Sequence, residues 1–306
     1  MHPTSGRYSS WSGLSALCDG IGKGRVEHMK LNWWPTFKCN LRCAYCAARA
    51  LPFARYGEER SGAEWLEVFA QWPQLDKLMS SGREATCYGD LSLVMDAVDW
   101  PLMLETNLEI HPKEWMTDSI AERLVKMRTT LHRHVEHRLA TAYWEKIQWL
   151  RETVPKTVVY ATTLVTQQTD PKDVETFKRR STDAGAHLVK TNYVNEAFLW
   201  RDYISYQGSV GQCVAGSDGV VLLPDGTAFR CTGHAYYGIN PLGNVFEVGA
   251  DVLLAAPAPC TFANCTCRTE KITDHDAALV EGAHRTTHHA WALPRQRVED
   301  YLGQRL

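Results

Sequence analysis

The chain has 306 residues, of which 44% are hydrophobic and 22% are charged, and this composition suits one large domain or a domain with a smaller second one. The formal net charge of −2 gives no reason to expect nucleic acid or an anionic membrane as a partner. The N-terminus lacks an apolar signal segment, and no apolar run approaches the length of a transmembrane helix. We therefore expect a cytoplasmic protein, in which the ten cysteines favour metal binding over disulfides.

A first group of cysteines follows the first predicted strand. Residues 1–30 predict an irregular segment, and the apolar residues 31–37 predict a strand. Directly after that strand come three cysteines at Cys-x-x-x-Cys-x-x-Cys spacing: Cys39, Cys43 and Cys46. Three thiolates can hold three irons of a cubane cluster and leave the fourth iron open to another ligand. The alternatives are a disulfide framework, which suits secreted chains, and a zinc site, which usually builds on Cys-x-x-Cys pairs with four ligands.

Segment 37–46, with Tyr45 before its last cysteine, resembles the cluster-binding loop of the radical S-adenosylmethionine (SAM) superfamily. The resemblance implies a [4Fe–4S] cluster held by the three cysteines, with SAM chelated to the open iron and Tyr45 beside the cofactor. It also implies cleavage of SAM to methionine and a 5′-deoxyadenosyl radical, which abstracts a hydrogen atom from the substrate. An external one-electron reductant of flavodoxin or ferredoxin type would then be a partner.

Strand and helix patterns alternate through the following residues. Further strands are predicted at 84–88, 101–106, 124–131, 156–165 and 186–193. Helices are predicted at 61–72, within 112–124, at 140–152 and between Asp170-Pro171 and Gly185. Six strands, most of them followed by a helix, indicate an α/β fold with a parallel sheet, which the pattern alone does not divide between a barrel and a doubly wound sheet. The superfamily resemblance implies a partial (β/α)6 TIM-like barrel over residues 31–205.

Residues at the predicted strand ends resemble SAM-binding positions of the superfamily. After its second strand the superfamily usually has Gly-Gly-Glu, which holds the SAM amino group, and the matching triplet here is Tyr88-Gly89-Asp90. Thr106-Asn107 matches a common Thr-Asn after the third strand. Thr130-Leu131-His132 matches a Ser-Leu-His after the fourth strand, whose hydroxyl meets the ribose. The resemblance thus implies cofactor contacts for Gly89, Asp90, Asn107 and Thr130.

A second group of cysteines lies in residues 206–306, for which we expect a small second domain. Residues 220–223 and 227–230 predict two strands joined at a Pro-Asp-Gly turn, which brings Cys213 and Cys231 towards the same end. Three further cysteines follow: Cys260, Cys265 and Cys267. The pattern resembles the twitch or SPASM extension of radical SAM enzymes, the shorter twitch form suiting five cysteines, and implies an auxiliary [4Fe–4S] cluster. A zinc site that uses four of the five is the alternative.

Several side chains are candidate catalytic groups. A fully ligated auxiliary cluster takes four of the five cysteines, so one thiol is left over that could donate a hydrogen atom to a substrate radical. The candidates for this thiol are Cys260, Cys265 and Cys267, with Cys87 as a further one. Glu105, His132 and Lys190 are expected to face the cavity at the strand ends. His132 would be a polar group there, and Glu105 and Lys190 could each be a base, a substrate anchor or half of a buried pair.

The substrate is inferred from chain length and cysteine spacing. With 38 residues before Cys39, we expect no leader-peptide-binding domain. Two groups of small twitch enzymes resemble the chain, 2-deoxy-scyllo-inosamine dehydrogenases and neomycin-type epimerases, and the 17 residues between Cys213 and Cys231 are like the interval of the dehydrogenases. The first interpretation is epimerisation or oxidation of an aminosugar or aminocyclitol in antibiotic biosynthesis. Modification of a ribosomally made peptide, by epimerisation or crosslinking, is the alternative, and an iron–sulfur electron carrier is a third possibility.

Overall fold

The computed structural model describes residues 30–43, 46, 56–72, 75–132, 137–165, 169–193, 212–213, 216, 219–249, 258–259 and 285–286. The predictions for residues 1–29, Tyr45, Cys260, Cys265 and Cys267 lie outside these ranges, as does the predicted domain boundary near residue 206. For Cys213 only the backbone is described. Within the described ranges no helix is both long and apolar enough to cross a membrane.

A ten-stranded sheet organises the described residues. Its first six strands run parallel, and each pairs with the next one along the chain. They are β1 (Lys30–Trp33), β2 (Lys77–Ser80), β3 (Leu102–Thr106), β4 (Leu124–Leu131), β5 (Val158–Val165) and β6 (Leu188–Tyr193). The sequential order is that of a singly wound, barrel-like sheet, because a doubly wound sheet reverses its strand order midway. The predicted α/β fold with a parallel sheet is therefore confirmed, and the pairing order decides between the two arrangements that the sequence left open.

One helix lies in each connection between these strands. The helices are α1 (Gly62–Phe69), α2 (Leu91–Ala97), α3 (Asp118–Arg123), α4 (His137–Thr153) and α5 (Pro171–Asp183). All five contribute to a single apolar core with alternate strand residues such as Trp33 and Leu104. We call the side of the sheet that packs on this core the outer face and the opposite side the inner face. Helices lie on one side because right-handed crossovers taken always in the same direction return over the same face.

The local signals for two of the helices are confirmed. At the start of α1 the Ser61 hydroxyl accepts a hydrogen bond from the backbone N–H of Glu64, whose carboxylate accepts one from the backbone of Ser61. Asp170 caps α5 in the same way, and Pro171 occupies its first position, where no intrahelical N–H is needed. These short-range bonds depend on residues close in sequence, which is why the sequence predicts them.

One secondary-structure prediction is wrong. Residues 84–88 are not a strand: Ala85–Cys87 form a single 3-10 turn, and the second strand is Lys77–Ser80. The segment Lys-Leu-Met-Ser has too few β-branched or aromatic residues to signal a strand, and it becomes one because β1 and β3 pair with it on both sides. The helix predicted within 112–124 is confirmed as α3, and a 3-10 turn, Pro112–Glu114, precedes it.

The hairpin predicted in the C-terminal part is confirmed and joins the same sheet. It consists of β8 (Gly219–Leu222) and β9 (Thr227–Phe229), and β8 pairs parallel with β1. At the turn, Gly226 has a φ of +90°, and a Cβ there would lie 2.2 Å from the Phe246 ring, so glycine is required. The remaining elements are β7 (Gln212–Cys213), α6 (Thr232–Tyr237), β10 (Gly243–Asn244), α7 (Val245–Val248), β11 (Ala258–Pro259) and β12 (Arg285–Thr286).

Candidate active site at the carboxyl edge of the sheet

The loop that carries the first three cysteines leaves β1 at the edge where parallel strands end. Its entrance is held by Glu59, whose carboxylate accepts hydrogen bonds from the Thr36 hydroxyl and the Phe37 backbone N–H, each at 2.7 Å. Arg83 donates to the Phe37 carbonyl from the other side at 2.9 Å. Neither Glu59 nor Arg83 was singled out in the sequence, because their role depends on contacts between segments more than 20 positions apart.

The segment that follows the cysteines is held by the hairpin turn. The carboxylate of Asp225 accepts a hydrogen bond from the Gly57 N–H at 2.9 Å, and the Pro224 carbonyl accepts one from the Arg60 N–H at 2.9 Å. Asp225 is buried and also accepts hydrogen bonds from the backbone and hydroxyl of Thr227. The turn between β8 and β9 therefore fixes the far end of the cysteine segment.

Cys39, Cys43 and Cys46 differ in their surroundings. Cys43 is buried, whereas Cys39 and Cys46 are partly exposed, and none of the three is in a disulfide. The backbone N–H of Cys46 donates to the Cys43 carbonyl at 3.2 Å. Burial raises the pKa of the Cys39 thiol, and the nearby acidic groups Glu84, Cys46 and Cys87 raise it further. In the described part of the chain no three Cys, His, Asp or Glu side chains are placed to bind one metal ion.

His132 meets this loop from the end of β4. Its Nδ1 lies 3.6 Å from the Cys43 sulfur, across 89 positions of sequence. Strand β4 ends at Leu131, as predicted, so Thr130 is its second-to-last residue and His132 follows the strand directly. The structure thus brings His132, a predicted site residue, to the first cysteine group.

A buried carboxylate, Glu84, joins the ends of β2 and β3. One oxygen accepts hydrogen bonds from the hydroxyls of Thr86, at 2.6 Å, and Thr106, at 2.8 Å, and the other accepts the Asn107 N–H at 2.7 Å. The residue is 1% exposed, and this burial raises its pKa although the hydrogen bonds oppose the change. The sequence did not point to Glu84, because residues 84–88 were predicted to be a strand. The signal that could have identified this segment is a glycine and a glutamate, Gly82 and Glu84, two and four positions after the true second strand.

Asn107 extends this network to the cysteine loop. Its side-chain amide donates to the Asn40 side-chain oxygen at 2.7 Å, and its own oxygen accepts the Glu109 N–H at 2.9 Å. The next residue, Leu108, is buried with a φ of +58°, a left-handed conformation that a leucine rarely adopts. Such backbone strain is often found at functional sites, where surrounding contacts maintain it. Here Lys146 donates to the Leu108 carbonyl at 2.5 Å.

Gly89 and Asp90 are placed differently from the expectation. They do not directly follow a strand but precede α2, and Asp90 accepts a hydrogen bond from the Gly62 N–H at the start of α1, at 2.7 Å. The neighbouring Tyr88 packs edge-on against Trp33 in the outer core and donates to the Arg60 carbonyl at 2.7 Å. Tyr88-Gly89-Asp90 therefore does not directly follow the second strand, and its contacts join the starts of two helices. The cofactor contacts expected for Gly89 and Asp90 stay a prediction.

Cys87 is close to the first cysteine group. Its thiol is partly exposed and near the backbone of Asn40, and its pKa is raised by burial and by the charge of Glu84. The charges of Glu84 and Cys87 also raise the pKa of the Cys39 thiol. The prediction that Cys87 lies beside the cavity thus agrees with its neighbours, while its proposed chemistry stays a prediction.

Glu105 and Lys190 both belong to a group of charges on the inner face. Glu105 forms a salt bridge with Arg128, the residue directly opposite on β4. Burial lowers the pKa of Lys190, and the charges of Arg128 and Lys126 lower it further, while Glu105 opposes them. Glu105 is therefore half of an ion pair, one of the roles considered for it.

An apolar cluster connects the two groups of cysteines. It contains Trp34, Val221, Leu223, Phe229 and Ala235, with Phe37, Cys46, Tyr56 and Tyr236 packed against them. Cys231 is buried directly before α6, which supplies Ala235 and Tyr236. The backbone of Cys213 in β7 pairs with Ala258 of β11, two positions before Cys260 in the chain. Pairing of β7 with β11 therefore brings the Cys213 segment to the one that leads into the last three cysteines.

No protein-family model matches this sequence. Among solved structures the chain is similar to BtrN, as seen in the crystal structure of BtrN in complex with AdoMet and 2-DOIA. The two share 14% sequence identity at a TM-score of 0.41, over 74% of this chain and 82% of BtrN.

Proposed function

We propose that this protein is a radical SAM enzyme that abstracts a carbon-bound hydrogen atom from a small molecule. The observation that supports it most is the position of the Cys-x-x-x-Cys-x-x-Cys segment: it leaves β1 at the carboxyl edge of six parallel strands in sequential order. Ligands of parallel α/β sheets bind at this edge. The side chains of Asn107 and His132 contact the same loop from the ends of β3 and β4, and Glu84, after β2, accepts a hydrogen bond from the Asn107 backbone.

The donor set fits a cluster with one open iron. Cys39, Cys43 and Cys46 would hold three irons of a [4Fe–4S] cluster, and the absence of a fourth cysteine in the motif leaves room for SAM. When bound, these groups would supply a 5′-deoxyadenosyl radical able to remove a hydrogen atom from carbon. The protein supplies a loop fixed at both ends, by Glu59 at its entrance and by Asp225 beyond its exit. An external one-electron reductant of flavodoxin or ferredoxin type would be required as a partner.

With β2 placed at Lys77–Ser80, the triplet in the Gly-Gly-Glu position of the superfamily becomes Gly82-Arg83-Glu84. We therefore assign the SAM amino group to this segment in place of Gly89 and Asp90. Gly82 has a φ of +101°, and a Cβ there would lie 2.7 Å from Trp34, so the backbone can turn there only with glycine. Thr130 stays the candidate for the ribose, and Tyr45 stays a predicted cofactor contact.

The second cysteine group would hold an auxiliary [4Fe–4S] cluster. Cys213 and Cys231 are the surest ligands, and two of Cys260, Cys265 and Cys267 would complete the set. Such a cluster could take an electron from a substrate radical, which suits net oxidation of a sugar or cyclitol. If the spare thiol donates a hydrogen atom instead, the outcome is epimerisation. Modification of a ribosomally made peptide, by epimerisation or crosslinking, is the second candidate.

Iron content and SAM cleavage test the proposal. Anaerobically reconstituted protein should bind about 8 iron atoms per chain, the sum of two cubane clusters. Replacement of Cys39, Cys43 and Cys46 by Ala should halve the iron and abolish 5′-deoxyadenosine formation from SAM and dithionite. The control is Cys18→Ala, which should keep both, because Cys18 lies in the N-terminal segment and belongs to neither cysteine group. Stoichiometric zinc in a colourless protein would reject the proposal, and full iron without 5′-deoxyadenosine would leave an electron carrier.

A second measurement separates oxidation from epimerisation. Product is collected in deuterated water from the wild type and from four single variants: Cys87→Ser, Cys260→Ser, Cys265→Ser and Cys267→Ser. Epimerisation places deuterium at the inverted carbon, and one variant should lose the epimer while keeping its iron and SAM cleavage. An oxidised product without deuterium rejects epimerisation.

A further inference from the structure

A lysine on α4 holds the turn that follows β3. Lys146 is half-buried, and its ammonium donates hydrogen bonds to the backbone carbonyls of Leu108, at 2.5 Å, and Glu109, at 2.8 Å. These carbonyls lie 38 and 37 positions away in the sequence. An ammonium has three donors, so one lysine can bind both carbonyls at once. Lys146 thereby ties the middle of α4 to the carboxyl edge of the sheet, where the candidate site lies.

The turn that Lys146 holds is strained. Leu108 has a φ of +58°, in the left-handed region that is unfavourable for a residue with a Cβ and that glycine enters readily. Its side chain is 2% exposed and belongs to the outer core, which keeps the leucine at this position. The Thr106 hydroxyl accepts a hydrogen bond from the Leu108 N–H at 3.0 Å. The conformation therefore persists because contacts to the N–H, the carbonyl and the side chain of Leu108 maintain it.

Asn107, the residue before Leu108, contacts the cysteine loop. Its side-chain amide donates to the side-chain oxygen of Asn40 at 2.7 Å, and its own side-chain oxygen accepts the Glu109 N–H at 2.9 Å. The Cys39 sulfur lies 3.9 Å from that same Asn40 oxygen. A series of contacts thus runs from α4 through the turn to the first cysteine. Relaxation of the turn would release the Asn107 side chain from this orientation, because the Glu109 N–H would move away from it.

We propose that Lys146 is a positioning residue of the candidate site. It holds Leu108 in the left-handed conformation, and this keeps the Asn107 amide on Asn40 and the cysteine loop in place. The proposal rests on the proposed function, because Asn107 and the cysteine loop are expected to meet SAM and the cluster. Lys146 belongs to a helix outside the sheet and acts through the turn, so it need not contact the cofactor itself.

Steady-state kinetics and amide hydrogen exchange on reconstituted full-length protein test this role. In Lys146→Met the KM for SAM in 5′-deoxyadenosine formation should rise about tenfold, because without the two hydrogen bonds only about a tenth of the molecules have the turn correctly formed. The kcat at saturating SAM should stay nearly unchanged, whereas a loss of folded protein would lower kcat and leave KM as it is. Amide exchange of residues 39–43 and of residues 106–109 should become faster together. The matched control is Lys156→Met, since Lys156 is exposed beyond the end of α4 and should affect none of these quantities.

Variants at position 108 show whether Lys146 acts through the strained turn. In Leu108→Gly, whose backbone enters the left-handed region without a Cβ, the further change Lys146→Met should raise the KM by no more than about threefold. In Leu108→Ala, which also loses the leucine side chain but keeps a Cβ, Lys146→Met should still raise the KM about tenfold. Lys146→Arg keeps donors for the two carbonyls and should resemble the wild type.

The outcomes separate this inference from the proposed function. An unchanged KM in Lys146→Met overturns the proposal, and so does an equal effect of Lys146→Met in the Leu108→Gly and Leu108→Ala backgrounds. Faster exchange at residues 106–109 without faster exchange at residues 39–43 also overturns it, because the turn would then not hold the loop. A wild type that forms no 5′-deoxyadenosine rejects the proposed function. The exchange of the two segments then decides the role of Lys146 alone, since it is measured without SAM.

Discussion

The two faces of the parallel sheet use the same strands for opposite purposes. The outer face is closed by five helices around Trp33, Leu78, Leu104 and their neighbours, which are all essentially inaccessible to water. The inner face carries polar and charged side chains, among them Arg128, Glu105 and Lys190, and leads up to the candidate site. Stability is therefore concentrated on one side of each strand and polar chemistry on the other, and neighbouring residues of one strand belong to different sides.

Neighbouring residues of β2 give the most direct test of this difference. Leu78 is fully buried on the outer face, and its replacement by Ala should lower the free energy of unfolding by about 3 kcal/mol through lost burial and a cavity. Met79, the next residue, lines the inner face with Met103 and Arg128, and Met79→Ala should cost less than about 1 kcal/mol. Urea denaturation of both variants measures the difference, and equal losses would contradict the division of the faces.

Glu84 lies where the ends of β2 and β3 meet. Its replacement by Ala should lower the free energy of unfolding nearly as much as Leu78→Ala does. Glu84→Ala leaves the buried Asn107 N–H and two threonine hydroxyls without their acceptor, a loss of about 2–3 kcal/mol. The control is Glu67→Ala on the exposed side of α1, which should change stability by no more than about 0.5 kcal/mol. Equal stability of the two variants would mean that the network around Glu84 is not formed.

Gly82, which follows β2, and Gly89, which precedes α2, should respond differently to replacement by Ala. Gly82→Ala places a Cβ against Trp34 at a positive φ and should cost about 2 kcal/mol. Gly89→Ala meets no atom within 4 Å and should be close to neutral. Thermal unfolding of the pair provides the measurement, and SAM affinity should fall in Gly82→Ala alone. A SAM defect confined to Gly89→Ala would restore the original match of Tyr88-Gly89-Asp90.

The smallest effect is expected for the ion pair of the inner face. Glu105 and Arg128 are partly exposed, and a double-mutant cycle with Gln at position 105 and Met at position 128 should give a coupling energy of about 0.5 kcal/mol. A coupling above about 2 kcal/mol would contradict this expectation and show that the pair is structural.

Much of this organisation could be predicted from local signals. Five of the six parallel strands and the capping residues Ser61 and Asp170 are confirmed, as is the Pro-Asp-Gly turn of the hairpin. Each depends on residues within a few positions of one another. The three cysteines, Thr106-Asn107 and Thr130-Leu131-His132 lie next to strands that were predicted correctly, so their positions at the strand ends could be predicted, while their cofactor roles stay predictions.

Other features were decided by contacts distant in sequence. β2 has a weak strand signal and forms because β1 and β3 pair with it, so the sequence did not show that Gly82-Arg83-Glu84 follows the end of a strand. The same holds for the pairing of β8 with β1 and for the hydrogen bonds that Glu59 and Asp225 accept from the cysteine segment. Each of these contacts joins residues far apart in the chain.

By itself the sequence determined the α/β class, the alternation of apolar and charged residues within strands, and the cysteine spacing that indicates radical SAM chemistry. Only the tertiary structure decided that the sheet is singly wound, and therefore which side of every strand the helices cover. In the singly wound sheet, lysines from several strands and one arginine lie on the same face. They come together because residues from different strands share a row only after the strands have paired in order. The physical reason is that strand register is set by hydrogen bonds between segments, which no single segment specifies.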